Sequence, residues 1–167
     1  YLSPAPLYHS APFAWTLSLL TFGATVIVME KFDPEQALAL IERYRIDMTQ
    51  WVPTHFVRML KLPQAVRDRY DVSTVKLAVH AAAPCPPTVK RAMIEWWGPV
   101  LLEYFGSSEQ TVLTIITSEE WLAHAGSVGR CVRGKIHICG EDGEPLAIGE
   151  TGLVYSEGGM EYSYHRD

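Results

Sequence analysis

Charge is missing from the start of this chain: between Tyr1 and Met29 there is no Asp, Glu, Lys or Arg. On length alone, the 19 residues from Ala11 to Met29 suffice for a membrane span. Thr16, Ser18, Thr21 and Thr25 dilute the stretch, however, and Gly23 divides it. Its second part, Ala24-Thr25-Val26-Ile27-Val28-Met29, is β-branched and suits a strand. A buried helix, a glycine cap and a buried strand are expected, with no transmembrane segment. No basic stretch leads into an apolar one with a small-residue cleavage site, so no secretory signal is expected. Cysteine is scarce. Cys85, Cys131 and Cys139 form no CxxC pair, which signals neither a zinc site nor a disulfide framework. A reducing, cytoplasmic setting is expected. Basic residues are not in excess: 14 Lys and Arg stand against 19 Asp and Glu, a net charge of −5. That balance argues against a nucleic-acid partner, which calls for a basic face. The G-x-x-x-x-G-K-[ST] phosphate loop, the G-x-G-x-x-G turn and the G-x-S-x-G elbow are all missing. The chain therefore carries neither a Walker-type triphosphate cradle nor a hydrolase nucleophile.

What is present can build a core: 48% of residues are hydrophobic and 20% charged. A helix is expected from Pro12 to Phe22, then a strand over 24–29. Asp33-Pro34-Glu35-Gln36 reads as a helix start, with Asp33 as N-cap and Pro34 at the first helical position. Ala37, Leu38, Ile41 and Tyr44 then form one apolar face. A strand over 47–52 stops at Pro53, and two short helices cover 54–60 and 63–70. A strand over 75–79, a helix from Pro86 to Trp97 and a strand over 100–104 follow. This β-α-β-α-β-α-β order predicts an α/β fold, a parallel sheet with right-handed crossovers and covering helices. From residue 111 the texture becomes β-rich. A short capped helix is expected at Ser118–Leu122, then strands over 132–139 and near 152–156, with a turn at Glu141-Asp142-Gly143-Glu144 between them. The chain thus divides into an α/β segment, 1–110, and a β-rich segment, 111–167.

Ligands of a parallel sheet gather at the carboxyl ends of its strands. Two runs fall there, His80-Ala81-Ala82-Ala83-Pro84-Cys85-Pro86 and Phe105-Gly106-Ser107-Ser108-Glu109-Gln110-Thr111. Small residues in the first let a planar ligand approach the backbone. The second offers a ring, a glycine, two hydroxyls and a carboxylate. That set suits stacking on a base, hydrogen bonds to phosphate and one-carboxylate binding of Mg²⁺. Tight packing and a helix N-terminus explain the same residues without a ligand, and both readings stand at this point. His9 reads as a capping or core histidine on pattern alone. The remaining histidines have no metal-ligand spacing.

Five runs recur in order: Pro6-Leu7-Tyr8-His9, His80-Ala81-Ala82-Ala83-Pro84, Tyr104-Phe105-Gly106-Ser107-Ser108-Glu109, Gly126-Ser127-Val128-Gly129-Arg130 and Gly149-Glu150-Thr151-Gly152-Leu153. Together they resemble the adenylate-forming enzymes, in particular the acyl-CoA synthetase branch, with its P-x-x-H, G-G-A-P, Y-G-x-T-E, G-S-V-G-R and G-E-x-G pattern. The closing run from Tyr162 to Asp167 resembles an aromatic-rich segment of the same family. The resemblance implies a small-molecule carboxylic acid, ATP with Mg²⁺, and CoA as co-substrate. It implies a partial β-barrel for the β-rich segment. It implies that Ala81, Ala82, Ala83 and Pro84 line the adenine and acyl sites, with Tyr104, Phe105, Gly106, Ser107 and Ser108 at the nucleotide. Ser108 would bond phosphate and Glu109 would hold Mg²⁺. His9 would sit at the mouth between the two sites, and Trp15, His80, Ala81 and Ala82 would meet the acid.

Three departures from the pattern matter. Ala81 and Ala82 stand where the family usually has glycines, adding methyl groups to the pocket. Ser108 replaces threonine and keeps the hydroxyl. Phe105 replaces tyrosine and keeps the ring. The family's phosphate loop, hinge and C-terminal lysine match nothing in the chain, so an interior fragment of a large N-terminal domain is expected, inactive alone. An adenylation domain that loads a carrier protein, and a non-catalytic nucleotide- or acyl-binding module, are the alternatives.

Overall fold

The structure is a computed structural model that describes residues 1–166. A seven-stranded sheet organises it, in the order β2-β1-β3-β4-β5-β6-β7. Its first five strands are parallel: β1 (Leu2–Ser3), β2 (Ile27–Val28), β3 (Met48–Trp51), β4 (Leu77–His80) and β5 (Leu101–Gly106). The helices between them are α1 (Ser10–Thr21), α2 (Pro34–Tyr44), α3 (Pro53–Leu60), α4 (Gln64–Arg67) and α5 (Pro87–Trp97). The alternation expected from the sequence is thus present, with β1 added in front.

Local chemistry sets the boundaries. Asp33 caps α2 by accepting a 2.8 Å hydrogen bond from the Gln36 N–H, and Pro34 follows it. Ala37, Leu38 and Ile41 are buried as their spacing predicts. Three strands differ by small steps from the sequence reading. β2 is only two residues long, β4 runs on through His80, and β5 runs on through Gly106.

After β5 only six residues, 107–112, precede β6 (Leu113–Thr117). That is too short for a crossover, so β6 returns antiparallel beside β5. β7 (Arg130–Arg133) adds antiparallel to β6. Between them α6 (Ser118–Ala123) starts with a full capping box: Thr117 accepts from Glu120 N–H, and Glu120 accepts from Thr117 N–H. The single strand expected over 132–139 is two. Gly134, at φ +69°, divides β7 from β8 (Lys135–Cys139). A Cβ there would meet the Thr111 carbonyl oxygen at 2.7 Å, so glycine is required. β8 pairs with β9 (Leu153–Glu157) in a separate antiparallel sheet.

The core lies between one sheet face and α2, α3 and α5. Trp51, Phe56, Met59 and Met93 are fully enclosed there, and Trp97 nearly so. α1 carries Trp15 to the side of Tyr104 in β5, but Phe13, Leu17 and Leu20 stay about half exposed. Among the described residues no helix is long and apolar enough to cross a membrane.

Candidate active site

β4 and β5 are parallel neighbours, with His80 opposite Glu103, so the loops leaving their carboxyl ends adjoin. In the first loop, Ala81 is buried and its N–H donates to the Trp51 carbonyl at 3.4 Å. Ala82, Ala83 and Pro84 are exposed. Ala82 holds φ +74°, in the left-handed region that disfavours a side chain. The loop therefore presents small groups on a bent backbone, open to an approaching ligand.

Phe105 leaves β5 with 42% of its surface exposed, unusual for an aromatic residue in a central strand and suited to stacking on a planar ligand. Gly106 follows, where a Cβ would come 3.0 Å from the Val112 carbonyl oxygen. Residues 107–110 form a turn closed by the Gln110 N–H donating to the Ser107 carbonyl at 3.1 Å. Ser107 Oγ lies 3.5 Å from Thr111 Oγ1, and Ser108 Oγ lies 3.1 Å from Ser10 Oγ at the start of α1. Tyr164 donates its hydroxyl to Glu109 Oε1 at 3.0 Å. The Glu109 backbone N–H, the Ser107 hydroxyl and the Tyr164 hydroxyl together hold the Glu109 carboxyl below the usual glutamate range. It is thus ionised and half-exposed. Mg²⁺ binds through one or two carboxylates with substrate phosphates completing its shell, and Glu109 beside two serine hydroxyls fits that habit. Among the described residues no three His, Cys, Asp or Glu side chains form a metal cage.

α1 closes the third side. His9 is exposed, its ring 4.5 Å from that of Tyr8, and its side chain makes no cap bond to the helix. His9 thus stands at the N-cap position, but its side chain neither caps the helix nor enters the core, which leaves the imidazole free to face a ligand. Burial pushes the Tyr104 pKa above the ordinary tyrosine value, with Trp15 and Gln50 near enough to oppose the rise. The Ser10–Ser108 contact ties the start of α1 to the β5 exit.

His80 is placed differently. It is fully buried, edge-on to Phe56 at 5.4 Å, on the sheet face opposite Tyr104. Burial, with Lys90 nearby, lowers its pKa to about 3. Cys85, in the next loop and within reach of the Glu103 charge, has its thiol pushed up to about 11 by burial and by Glu103. Buried and shifted away from their reactive forms, neither group is suited to reacting with a ligand.

Four participants escaped the sequence reading. Ser10, Gln50 and Tyr164 reach the site only through tertiary contacts, and no local pattern flags them. Lys90 has a local signal that could have found it: with Met93, Ile94 and Trp97 it completes the buried stripe of α5, a lysine where an apolar residue belongs.

The profile of the AMP-binding enzyme family matches residues 1–160. The chain belongs to that family. Its relatives include the medium/long-chain-fatty-acid–CoA ligase FadD8 of Mycobacterium tuberculosis, 27% identical over 95% of this chain and 28% of its own length. A methyl-dioxo-octahydroindenyl-propanoyl:CoA ligase of Rhodococcus jostii is 31% identical over 92% of this chain and 30% of its own length. Among solved structures, the amide bond synthetase McbA of Marinactinospora thermotolerans superposes with a TM-score of 0.80 at 26% identity, covering 93% of this chain and 32% of that one. The o-succinylbenzoate CoA synthetase of Bacillus subtilis, in complex with an acyl-adenylate, shares the fold at a TM-score of 0.75 and 21% identity, over 94% of this chain and 31% of that one. The chain spans less than a third of the length of these relatives.

Proposed function

We propose that this chain is a segment of an ATP-dependent acid–CoA ligase, and that the cleft between α1 and the two loops is where the acid meets the nucleotide. The observation that carries the reading is the convergence of Phe105, Ser107, Ser108 and ionised Glu109 at one strand exit, in a chain matched almost throughout by the AMP-binding family.

In the first step a carboxylate oxygen of the acid attacks the α-phosphorus of ATP, and the bond to pyrophosphate breaks. In the second, the CoA thiol attacks the acyl carbon and AMP leaves with the carboxylate oxygen. Phe105 stacks on adenine with Tyr104 beside it. Ala81 to Pro84 and Gly106 shape the adenine and acyl walls, and Ser107 and Ser108 bond phosphate. Glu109 holds Mg²⁺, which when bound neutralises phosphate charge. His9 lies at the mouth between the sites, and Trp15 lines the acid. No side chain becomes acylated: catalysis rests on positioning and charge stabilisation.

The acid carries a bulky apolar tail, fatty, aromatic or sterol-like. Neither Pro6–Trp15 nor His80–Pro84 contains Lys or Arg to pair a second carboxylate. The names of the Mycobacterium and Rhodococcus relatives, for fatty acids and a bicyclic propanoate, support this. The segment alone turns nothing over, because it spans under a third of those enzymes.

The test is thioester formation. The enzyme that carries this chain, given ATP, CoA and a panel of acids, should yield acyl-CoA by mass spectrometry with bulky apolar acids and not with dicarboxylates. Adenylate without thioester would move the acceptor to a carrier protein. Absence of both products with every acid would leave only a binding module.

A further inference from the structure

Beneath the cleft, between β5 and α5, lies a charge pair that the proposed reaction does not use. Lys90 is fully buried in α5, and its Nζ stands 2.7 Å from Glu103 Oε2 in β5. Trp121 packs over the ammonium, its ring centroid 5.0 Å from Nζ. His80 lies beside the pair, Nε2 3.9 Å from the same carboxylate oxygen, and neither ring nitrogen has a hydrogen-bond partner.

The location gives the pair its meaning. Lys90 sits one turn into α5, directly after loop 81–86, and its N–H donates to the Pro86 carbonyl at 3.0 Å. Glu103 sits two residues before Phe105. The pair therefore joins the end of one ligand loop to the start of the other. Each loop also holds a non-glycine residue at positive φ, Ala82 at +74° and Gln110 at +57°. Such conformations persist only where the surroundings over-determine them. A buried ion pair is weak evidence of stabilisation, since apolar residues of equal volume often serve as well. What it adds over an apolar contact is a fixed distance and direction.

We propose that Lys90 and Glu103 are positioning residues that set the spacing of loops 81–86 and 105–111, and so govern nucleotide binding and adenylation geometry. The inference rests on the assignment of both loops to the nucleotide.

The test compares the enzyme that carries this chain with a Lys90→Met/Glu103→Leu variant, which fills the same space without charge. Three readouts are taken: melting midpoint, AMP affinity by calorimetry, and acid-dependent ATP–pyrophosphate exchange. The expected result is a midpoint within a few degrees of the parent, with AMP affinity and kcat/KM for ATP each lowered at least about tenfold, since misplacement of about 1 Å costs that much or more. Unchanged affinity and exchange in a folded variant would overturn the proposal. Should the double variant not fold, Lys90→Met/Glu103→Gln, which removes the ammonium donor and the buried charge while keeping the shape at position 103, is measured the same way and decides by the same criterion. Failure of the parent itself to exchange pyrophosphate would instead count against the ligase reading.

Discussion

Ala82 holds its φ of +74° at a cost of about 1–2 kcal/mol for an L residue, and it is exposed to solvent. Glycine there would release that strain while giving back a fraction of it as unfolded-chain entropy. Ala82→Gly should therefore leave the chain as stable or raise its unfolding free energy by up to about 1 kcal/mol in urea titration. A clear loss would mean the methyl group packs on something the fold does not show. In the whole enzyme the same substitution should shift the preference among acids of different bulk, at the level of one or two methylenes, about 1–3 kcal/mol. The Michaelis constant for ATP should stay nearly constant. A flat acid preference with altered ATP binding would assign the loop to the nucleotide alone. Residue identity made this loop visible in the sequence, but its strained backbone was not: alanine gives no warning of a left-handed conformation, as glycine would.

At the scale of elements, the start of α6 depends on the reciprocal bonds between Thr117 and Glu120. Thr117→Ala should cost about 1 kcal/mol, measured as a lower urea midpoint at constant slope. No change at all would mean that burial of Ser118 and Trp121 holds the helix without its cap. Elements with strong local chemistry were legible. α2 announces itself through Asp33-Pro34 and its apolar period, and α5 through its prolines and Gly98. β1 was not, because two residues ahead of a proline carry no periodicity, and its partners β2 and β3 are distant in sequence. The split of β7 from β8 was also hidden. Its cause is the crowding of Gly134 against Thr111 and Glu157, which only the folded chain brings together. The contacts of Ser10 and Tyr164 were illegible for the same reason.

For the whole molecule, two buried histidines set a pH response. Burial lowers His55 from 6.5 to about 4, with Arg58 adding to the effect, and lowers His80 from 6.5 to about 3, with Lys90 adding. Both are neutral in the folded protein across the acid range where the unfolded chain protonates them. The unfolded state then binds more protons, so stability rises with pH up to about 6.5 and falls as pH drops from there toward the folded values. Each group contributes a slope of up to about 1.4 kcal/mol per pH unit. Urea titrations at pH 7 and pH 5 should show the loss, and His55→Phe should flatten it. An unaltered slope in that variant would contradict the burial account. The fold class and the cleft's loops could be read from order and spacing, because strand exits in a parallel sheet fall on one side. The location of His80 could not, because it depends on which way the last residue of β4 points. The central claim is that Glu109 and its loop serve adenylation. It is tested most directly by acid-dependent ATP–pyrophosphate exchange in the enzyme that carries this chain, parent against Glu109→Gln. The account predicts robust exchange in the parent and a loss of at least about a hundredfold in the variant with its melting midpoint unmoved, because the shape is kept and the charge removed. Normal exchange by a Glu109→Gln enzyme would contradict it.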